Sequence, residues 1–183
     1  LGNNKKWIFY AKGGGFRRWY GNLDTVINWS DEARTFYRKD KIARILPEYL
    51  WKKEGITWSY VCSGIPSFRT LPSDAIFDVG GSSVFFNNDS DIIPVLGFLN
   101  SKFAYELLKL YNPTINYQVN DIRSLPINDK IYDNTICKIA NENVSLSKSD
   151  WDAHETSWDF KRNPLYEQFL LCMDDNLQNV VPR

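Results

Sequence analysis

The sequence has few of the residues that build metal sites, disulfides or acid–base catalysts. It contains one histidine, one methionine and three cysteines among 183 residues. Cys62, Cys137 and Cys172 are far apart and odd in number, so they predict no C-x-x-C pair and no disulfide framework, and the expected location is a reducing cytoplasm. His154, the single histidine, lacks a partner that would orient it as a general base, and we predict no metal site.

Long apolar runs and a net charge are also lacking. No run approaches the roughly 20 apolar residues of a membrane-spanning helix, and no signal peptide is recognisable, so no membrane partner is expected. The first residue is Leu1 rather than methionine, and an aromatic stretch follows at residues 7–10, which is typical of a segment of a longer polypeptide. Basic and acidic residues number 22 each, so the total charge alone predicts no polyanionic partner.

The charges are divided unevenly along the chain. Residues 1–70 carry 13 basic against 6 acidic residues, whereas residues 71–183 carry 9 against 16. This asymmetry favours a basic face, and a mixed solvated surface is the alternative. Aromatic residues make up 15% of a chain that is long enough for a sizeable core, so a folded domain is expected.

Residue patterns predict a sheet followed by helices. Turn-bounded β-branched and aromatic stretches predict strands at 5–11, 25–29, 55–62, 75–79 and 83–86. Ser30 begins a predicted helix through 33–39, and a further helix over 41–50 is left open. Apolar residues spaced by three or four predict one helix from Asp91 through Leu110.

The remaining helices are predicted in the last third of the chain. One covers 132–145, a short turn follows at 150–156, and a last helix covers about 165–177. The first of them is expected to face inward with Ile136, Ile139, Ala140 and Val144. The predicted fold is α+β: a mixed twisted β-sheet followed by packed helices over residues 1–128, with a C-terminal helical extension over 129–183.

The stretch KGGGFRRWYGN, residues 12–22, combines three glycines with cations and flat rings. Glycines adopt backbone angles that other residues avoid, so such a loop brings cations and rings close to a polyanion. Lys12, Arg17 and Arg18 are therefore predicted to bind phosphates, and Lys52 and Lys53, which precede the next strand, form a second predicted set. Two structural alternatives stay open. In one, the glycines form a turn whose aromatic rings fill a core, and in the other, the lysines are ordinary solvent-exposed charges in turns.

This stretch resembles a motif near the start of the target-recognition region of PglX-type adenine-specific DNA methyltransferases of BREX phage-defence systems, and type IIG restriction-modification enzymes look similar. Five further blocks resemble the family in the same order: KEGITWS (53–59), IFDVGGSS (76–83), LGFLNSK (96–102), NPTINYQVNDI (112–122) and DWD with ETSWDF (150–160). The resemblance implies a target-recognition-domain-like fold and double-stranded DNA as the partner. It also implies that the shared blocks build the scaffold or hold phosphates, while the stretches 30–50 and 62–74 carry the sequence code.

Base edges are read by forked or bidentate side chains, arginine for guanine and asparagine or glutamine for adenine. Arg69 is the leading candidate, because Phe68 and Arg69 are predicted to project from a loop at residues 63–73. Asn116 and Gln118 flank Tyr117 and either read a base or lock a turn, with the turn favoured. The full set of candidate base readers is Arg69, Arg34, Arg38, Arg44, Asn116 and Gln118.

No catalytic residue is predicted in this chain. Adenine methylation needs a methyl-donor pocket and a polar-Pro-Pro-aromatic loop that holds the extruded base. The stretches 163–166 and 112–114 lack the second proline, and 77–81 lacks the Gly-x-Gly spacing, so all three are predicted to be turns. The resemblance implies that S-adenosylmethionine binds in a catalytic core that precedes this segment in the same polypeptide, and no cofactor is predicted here.

The resulting hypothesis is a segment that recognises a DNA sequence for an N6-adenine methyltransferase. Two other classes stay open. A module that docks the methyltransferase to other defence proteins predicts no DNA affinity at low salt. A self-contained DNA-cleaving or DNA-modifying enzyme predicts turnover by the isolated chain.

Overall fold

The computed structural model describes residues 6–43 and 45–178, with the side chains of residues 171 and 174–178 excepted. Within this range the strands are β1 (Trp7–Ala11), β2 (Val26–Asn28), β3 (Gly55–Trp58), β4 (Phe68–Leu71), β5 (Ala75–Phe77) and β6 (Ser83–Val84). The helices are α1 (Asp31–Lys39), α2 (Ile92–Leu99), α3 (Lys102–Tyr111), α4 (Val119–Arg123), α5 (Asn134–Asp152) and α6 (Pro164–Gln178). Short 3-10 turns occupy Glu48–Leu50, Asp89–Asp91 and Asp129–Tyr132. The predicted α+β class is confirmed.

The strands form two small sheets of three strands each, where the sequence pattern predicts one mixed sheet. In the first sheet β1 is central, antiparallel to β2 and parallel to β5. In the second sheet β3 is central and antiparallel to both β4 and β6. All five predicted strands are present, and the antiparallel second sheet also contains a strand that the pattern missed.

The missed strand is β4, in the stretch that was expected to be a loop. It pairs with β3 so that Phe68 lies opposite Trp58. The side chain of Asn100 binds its outer edge, accepting from the Phe68 amide at 3.1 Å and donating to the Phe68 carbonyl at 2.9 Å. Phe68 and Arg69 are 0% and 1% exposed. The prediction that these two side chains project from a loop is therefore wrong.

The main core lies between the second sheet and the helices that follow it. Each buried Leu, Ile or Phe side chain stabilises the fold by about 1.5–3 kcal/mol relative to an exposed one. The residues that fill this core come from β3, β4, α2–α4 and the turns on either side of α4: Ile56, Trp58, Phe68, Ile92, Val95, Leu96, Leu99, Ala104, Leu108, Tyr117, Ile122, Leu125 and Ile131. A smaller core joins the two sheets through Ala11, Leu23, Leu71 and Ala75.

The apolar stripe that begins at residue 91 forms two helices, where the spacing predicts one. α2 ends at Leu99 and α3 begins at Lys102, because Ser101 caps α3: its hydroxyl oxygen accepts from the Ala104 amide at 3.1 Å. The break turns Asn100 toward β4, where its side chain is buried. Leu110, the last residue of the predicted stripe, is 78% exposed and contributes little to the core.

Other helix predictions are partly corrected. Ser30 caps α1 as predicted, with its hydroxyl accepting from the Ala33 amide. The optional helix at 41–50 is only the 3-10 turn Glu48–Leu50. α5 is longer than the predicted 132–145, and Ile136 and Ile139 are 41% and 52% exposed, so the expectation that they face inward is wrong, whereas Ala140 is buried.

α5 packs against α2 rather than lying apart from the first part of the chain. A Cβ added to Gly97 of α2 would lie 3.4 Å from the Cβ of Ala140 in α5. The division at residue 128 stays a prediction. None of the described helices combines the length and the apolar character that crossing a bilayer requires.

Candidate functional site

Residues 12–22, named here the glycine loop, leave β1 and run along the outer edge of β4. The Trp19 amide donates to the Phe68 carbonyl at 2.8 Å, and the Thr70 amide donates to the Trp19 carbonyl at 2.9 Å. Trp19 forms a parallel bridge with Arg69 in this way. Its φ of 73° is rare for a bulky residue, so these two hydrogen bonds hold an otherwise unfavourable conformation in place.

Three side chains hold the carbonyl oxygens of the three glycines. The bonds are Arg69 Nη2 to the Gly13 oxygen at 2.7 Å, the Ser59 hydroxyl to the Gly14 oxygen at 2.9 Å, and Asn22 Nδ2 to the Gly15 oxygen at 2.9 Å. Gly13 and Gly14 have φ values of 89° and 111°, which favour glycine. A Cβ at Gly13 would lie 2.6 Å from the carbonyl oxygen of Gly80, so the loop also depends on this close approach.

Arg69 lies beneath the glycine loop. Besides the Gly13 carbonyl, its guanidinium contacts the carbonyl oxygen of Ser67 at 3.5 Å and the hydroxyl of Ser59 at 3.4 Å. Burial lowers the pKa of Arg69 to about 10, so the group is still charged at neutral pH. Since the residue is 1% exposed, no edge of the guanidinium is open to a base in this conformation, and its visible role is to support the loop.

Arg17 fastens the glycine loop to α5. Its Nη2 atom lies 2.5 Å from Oδ2 of Asp150 and 3.4 Å from the carbonyl oxygen of Ser147. Its guanidinium carbon lies 4.8 Å from the ring centroid of Trp151. The Ser147 hydroxyl in turn donates to the Arg18 carbonyl at 2.9 Å. A phosphate bound by Arg17 would have to compete with these internal contacts.

Lys12, Phe16 and Arg18 form the outward face of the glycine loop. Lys12 is exposed, with Nζ 5.7 Å from the ring centroid of Tyr10. Phe16 is 65% exposed, and the guanidinium carbon of Arg18 lies 5.5 Å from its ring centroid. Among the described residues no hydrogen-bond partner reaches the buried Nε of Arg18. The glycine loop thus carries an exposed lysine and an exposed aromatic ring, and a half-buried arginine contacts that ring.

Lys52 and Lys53, the second predicted phosphate-binding pair, are both exposed. Lys52 adopts a left-handed φ of 55°. The pair precedes Gly55, where β3 begins, whereas Ser59, which supports the glycine loop, follows the other end of β3. The length of β3 therefore separates these lysines from the glycine loop.

Arg34 and Arg38 lie together on α1. Their guanidinium carbons are 5.6 and 6.0 Å from the ring centroid of Trp51. Each also pairs with a carboxylate: Arg34 with Asp31, and Arg38 Nη2 with Oε1 of Glu48 at 2.6 Å. The structure thus brings two of the predicted base readers into one cation–aromatic cluster.

Asn116 and Gln118 lie in the turn before α4, and the hydrogen bonds here are those of a locked turn. Asn112 Nδ2 donates to the Asn116 carbonyl at 2.7 Å, and Asp121 Oδ2 accepts from the Gln118 amide at 2.9 Å. Asn116 is half-buried and Gln118 is exposed. The remaining base-reading candidate, Arg44, lies outside the described residues.

The described residues offer no arrangement for metal or acid–base chemistry that we can assign. They contain no group of three or more His, Cys, Asp or Glu side chains placed to hold a metal ion. The ring Nδ1 of His154 lies 2.6 Å from the backbone oxygen of Asp150, which is a local turn contact. At the start of α6 the side chain of Asn163 accepts from the Leu165 amide at 2.9 Å, so this stretch is a helix start rather than a base-holding loop.

Sequence reasoning missed Ser59, Asn22 and Ser147 as supports of the glycine loop. Ser59 and Asn22 end two of the blocks that carry the family resemblance, and that position was the available signal. Ser147 is one of three serines in α5, and no local pattern distinguishes it from its neighbours. Its contact depends on how α5 packs.

Comparison with known proteins gives two related sequences, while no family model matches the chain. The chain is 36% identical over 166 residues, or 90% of its length, to the adenine-specific methyltransferase BrxX of Escherichia coli O9:H4 (strain HS). It is 35% identical over 168 residues, or 88% of its length, to the adenine-specific methyltransferase PglX of Lacticaseibacillus casei (strain Zhang). The chain spans only 13% and 14% of the length of these two relatives.

Identity of this extent defines the chain as an α+β segment related to adenine-specific methyltransferases. More particularly, it is a relative of the PglX-type proteins of BREX systems, and the resemblance inferred from the six sequence blocks is confirmed. Because the match covers a small part of each relative, the activity of the whole proteins does not follow from it.

Proposed function

We propose that this chain recognises double-stranded DNA as the target-recognition segment of an N6-adenine methyltransferase. In this proposal a catalytic core elsewhere in the same polypeptide binds S-adenosylmethionine and transfers the methyl group. The free cysteines fit a reducing cytoplasm, where we place the protein.

The observation that carries the proposal is the construction of the glycine loop. The glycine loop presents Lys12, Phe16 and Arg18 outward. Two backbone hydrogen bonds join it to β4, and its Arg17 pairs with Asp150 of α5. Cations held by a rigid scaffold neutralise phosphates and fix the register of a protein on a duplex, while bases are read by other side chains. Among the arginines that are candidates for base reading, the two on α1 are accessible, since Arg34 is half-buried and Arg38 is exposed.

Duplex binding tests the proposal directly. The affinity of the chain for a fluorescent duplex of mixed sequence is measured by anisotropy between 20 and 200 mM salt. We expect binding that weakens with salt, with a slope of about 0.9 per phosphate contact. No binding at the lowest salt would contradict the proposal and favour a protein-docking role.

Two variants test whether the glycine loop contributes to the salt dependence of DNA affinity. Lys12→Ala is expected to reduce the slope by about one contact and to weaken binding to all duplexes alike. Lys138→Ala is the matched control, because this exposed lysine lies on α5 and pairs with Glu142 at 3.9 Å. Equal slopes for the two variants would remove Lys12 from the DNA interface.

A protein-docking role is the second candidate, and one observation favours it. Trp7 and Trp158 are 54% and 61% exposed and line an apolar cleft of about 440 Å³ together with Phe9 and Val26. Exposed apolar clefts of this kind mark interaction sites. Trp158→Ala should leave DNA affinity unchanged if the cleft serves docking alone.

A further inference from the structure

The orientation of three successive peptide groups in the glycine loop points to a ligand. In a trans peptide the C=O and N–H bonds point in opposite directions, and no peptide of the described residues is cis. The carbonyl oxygens of the three glycines accept hydrogen bonds from three donors: Arg69 and Ser59 from the second sheet, and Asn22 from the end of the glycine loop. The amides that follow these carbonyls therefore point away from the donors, and they belong to Gly14, Gly15 and Phe16.

These three amides face solvent. Gly14, Gly15 and Phe16 are all exposed. In the part of the chain that the structure describes, none of the three amides donates a hydrogen bond to a protein acceptor. Around Gly15 a Cβ would meet no atom within 4 Å, so an incoming group has room. Successive backbone N–H groups that converge on open space form an anion-binding concavity.

The charges around the concavity have the sign that an anion requires. Arg69 is buried directly behind Gly13, and no ion pair of the described residues includes it, so its positive charge is not neutralised by a carboxylate. A buried charge acts through a low dielectric and is felt strongly nearby. Lys12, which is exposed, precedes the glycines in the chain, and Arg18, which contacts the Phe16 ring, follows them, so two more cations belong to the same loop.

We infer that residues 13–16 form a backbone-amide site for one phosphate group of a DNA strand. The amides of residues 14–16 donate to its non-bridging oxygens, Lys12 and Arg18 supply cations from the same loop, and Arg69 holds the loop from below. This inference rests on the proposed function and deepens it: the glycine loop binds phosphate through its backbone, so it contacts any sequence in the same way.

The test uses duplexes in which single phosphates are replaced by neutral methylphosphonates. Scanned across the binding site, one or two positions should weaken binding by the wild-type chain about tenfold, as for a lost charged hydrogen bond. Gly15→Val adds a side chain to the middle residue of the three, where a Cβ meets no atom within 4 Å and causes no clash. It should weaken binding to the all-phosphate duplex and abolish the methylphosphonate penalty at one position.

Asn141→Val is the control, because it adds the same side chain at an exposed position of α5, outside the glycine loop and outside the stretches 30–50 and 62–74. It should keep both the wild-type affinity and the methylphosphonate profile. If Gly15→Val binds DNA with wild-type affinity and profile, the amide site is refuted while the proposed function stands.

A second readout separates failure of the site from failure of the proposed function. In the ¹⁵N-labelled chain, the amide signals of residues 14–16 should shift on titration with dimethyl phosphate, and Gly15→Val should abolish the shifts. If the wild-type chain binds no duplex but shows these shifts, the amide site stands and the DNA assignment fails. If the signals do not move, the amide site is overturned whatever the DNA result.

Discussion

Arg69 carries its charge into the interior, where an ionised group is costly unless its donors are satisfied. The carbonyl oxygens of Gly13 and Ser67 and the hydroxyl of Ser59 accept hydrogen bonds from the guanidinium. These bonds offset the free-energy cost of burying the charge, and they hold Gly13 and Ser67 in place. The same three contacts explain why a residue type suited to reading guanine lies in a strand here. A residue's type indicates what it can bind, whereas its burial determines what it does bind.

Truncating Arg69 should therefore damage the fold rather than the sequence code. Arg69→Ala leaves a cavity and an unpaired Gly13 carbonyl, and we expect a loss of about 2–4 kcal/mol in the free energy of unfolding. Urea denaturation followed by tryptophan fluorescence measures it. Arg162→Ala is the control, because that arginine is 54% exposed in a surface ion pair with Glu167 and should cost less than about 1 kcal/mol. Equal losses in the two variants would show that Arg69 is not a support.

At the scale of elements, the break between α2 and α3 determines how the helices meet the second sheet. A continuous helix would carry Asn100 away from the Phe68 backbone, and β4 would lose one of the two partners on its outer edge, the other being the glycine loop. Ser101 enforces the break by capping α3. One polar residue in an apolar stripe thus reorients half of the predicted helix.

Ser101→Ala should lower the free energy of unfolding by about 1 kcal/mol, as for the loss of a helix N-cap. Ser101→Asp should retain most of the stability, since aspartate also caps helices. The control is Ser149→Ala, an exposed serine within α5, where alanine is the better helix former and no loss is expected. Thermal unfolding measures all three, and a Ser101→Ala variant as stable as the control would exclude a capping role.

We expect the stability of the end of α5 to depend on pH through Asp152. Burial raises the pKa of its carboxyl, but hydrogen bonds from Lys148 and Ser157 outweigh burial and hold the pKa below its usual value. A carboxylate with a depressed pKa stabilises the fold above the unfolded pKa near 4, and this contribution is lost as the pH falls through the folded value. Asp152→Asn should have a lower Tm than the wild type at pH 7, with a difference that shrinks below about pH 4.

The measurement is a Tm series between pH 7 and 2.5 for the two proteins. Glu155→Gln, at an exposed neighbouring position, is the charge-matched control and should follow the wild type throughout. A constant difference between Asp152→Asn and the wild type across the series would show that packing, not the carboxylate charge, stabilises the end of α5.

At the scale of the whole molecule, local sequence patterns predict the helices and strands, whereas packing determines which side chains are buried and which contacts they make. The five predicted strands and the α+β class follow from β-branched and aromatic runs between turn signals. β4 could also have been predicted from the sequence, since Phe68 and Thr70 lie between two prolines that bound a short strand. The sequence could not predict that Arg69 and Ser147 support the glycine loop. Arg69 lies 56 positions from Gly13, and Ser147 lies 129 positions from Arg18, so only the folded chain brings these pairs together.

A segment that recognises DNA for a separate catalytic core should transfer its specificity with it. Residues 7–164 contain the glycine loop, both sheets and α5, so they carry every contact that holds the candidate interface. We expect a chimera in which they replace the matching segment of the Escherichia coli relative to methylate adenine in a motif different from that of its parent. Sequencing of genome-wide N6-methyladenine shows the motif, and the parent with its own segment reinserted at the same junctions is the control. The isolated chain should transfer no methyl group from tritiated S-adenosylmethionine. A chimera that methylates the parent's motif would place the sequence code outside this chain.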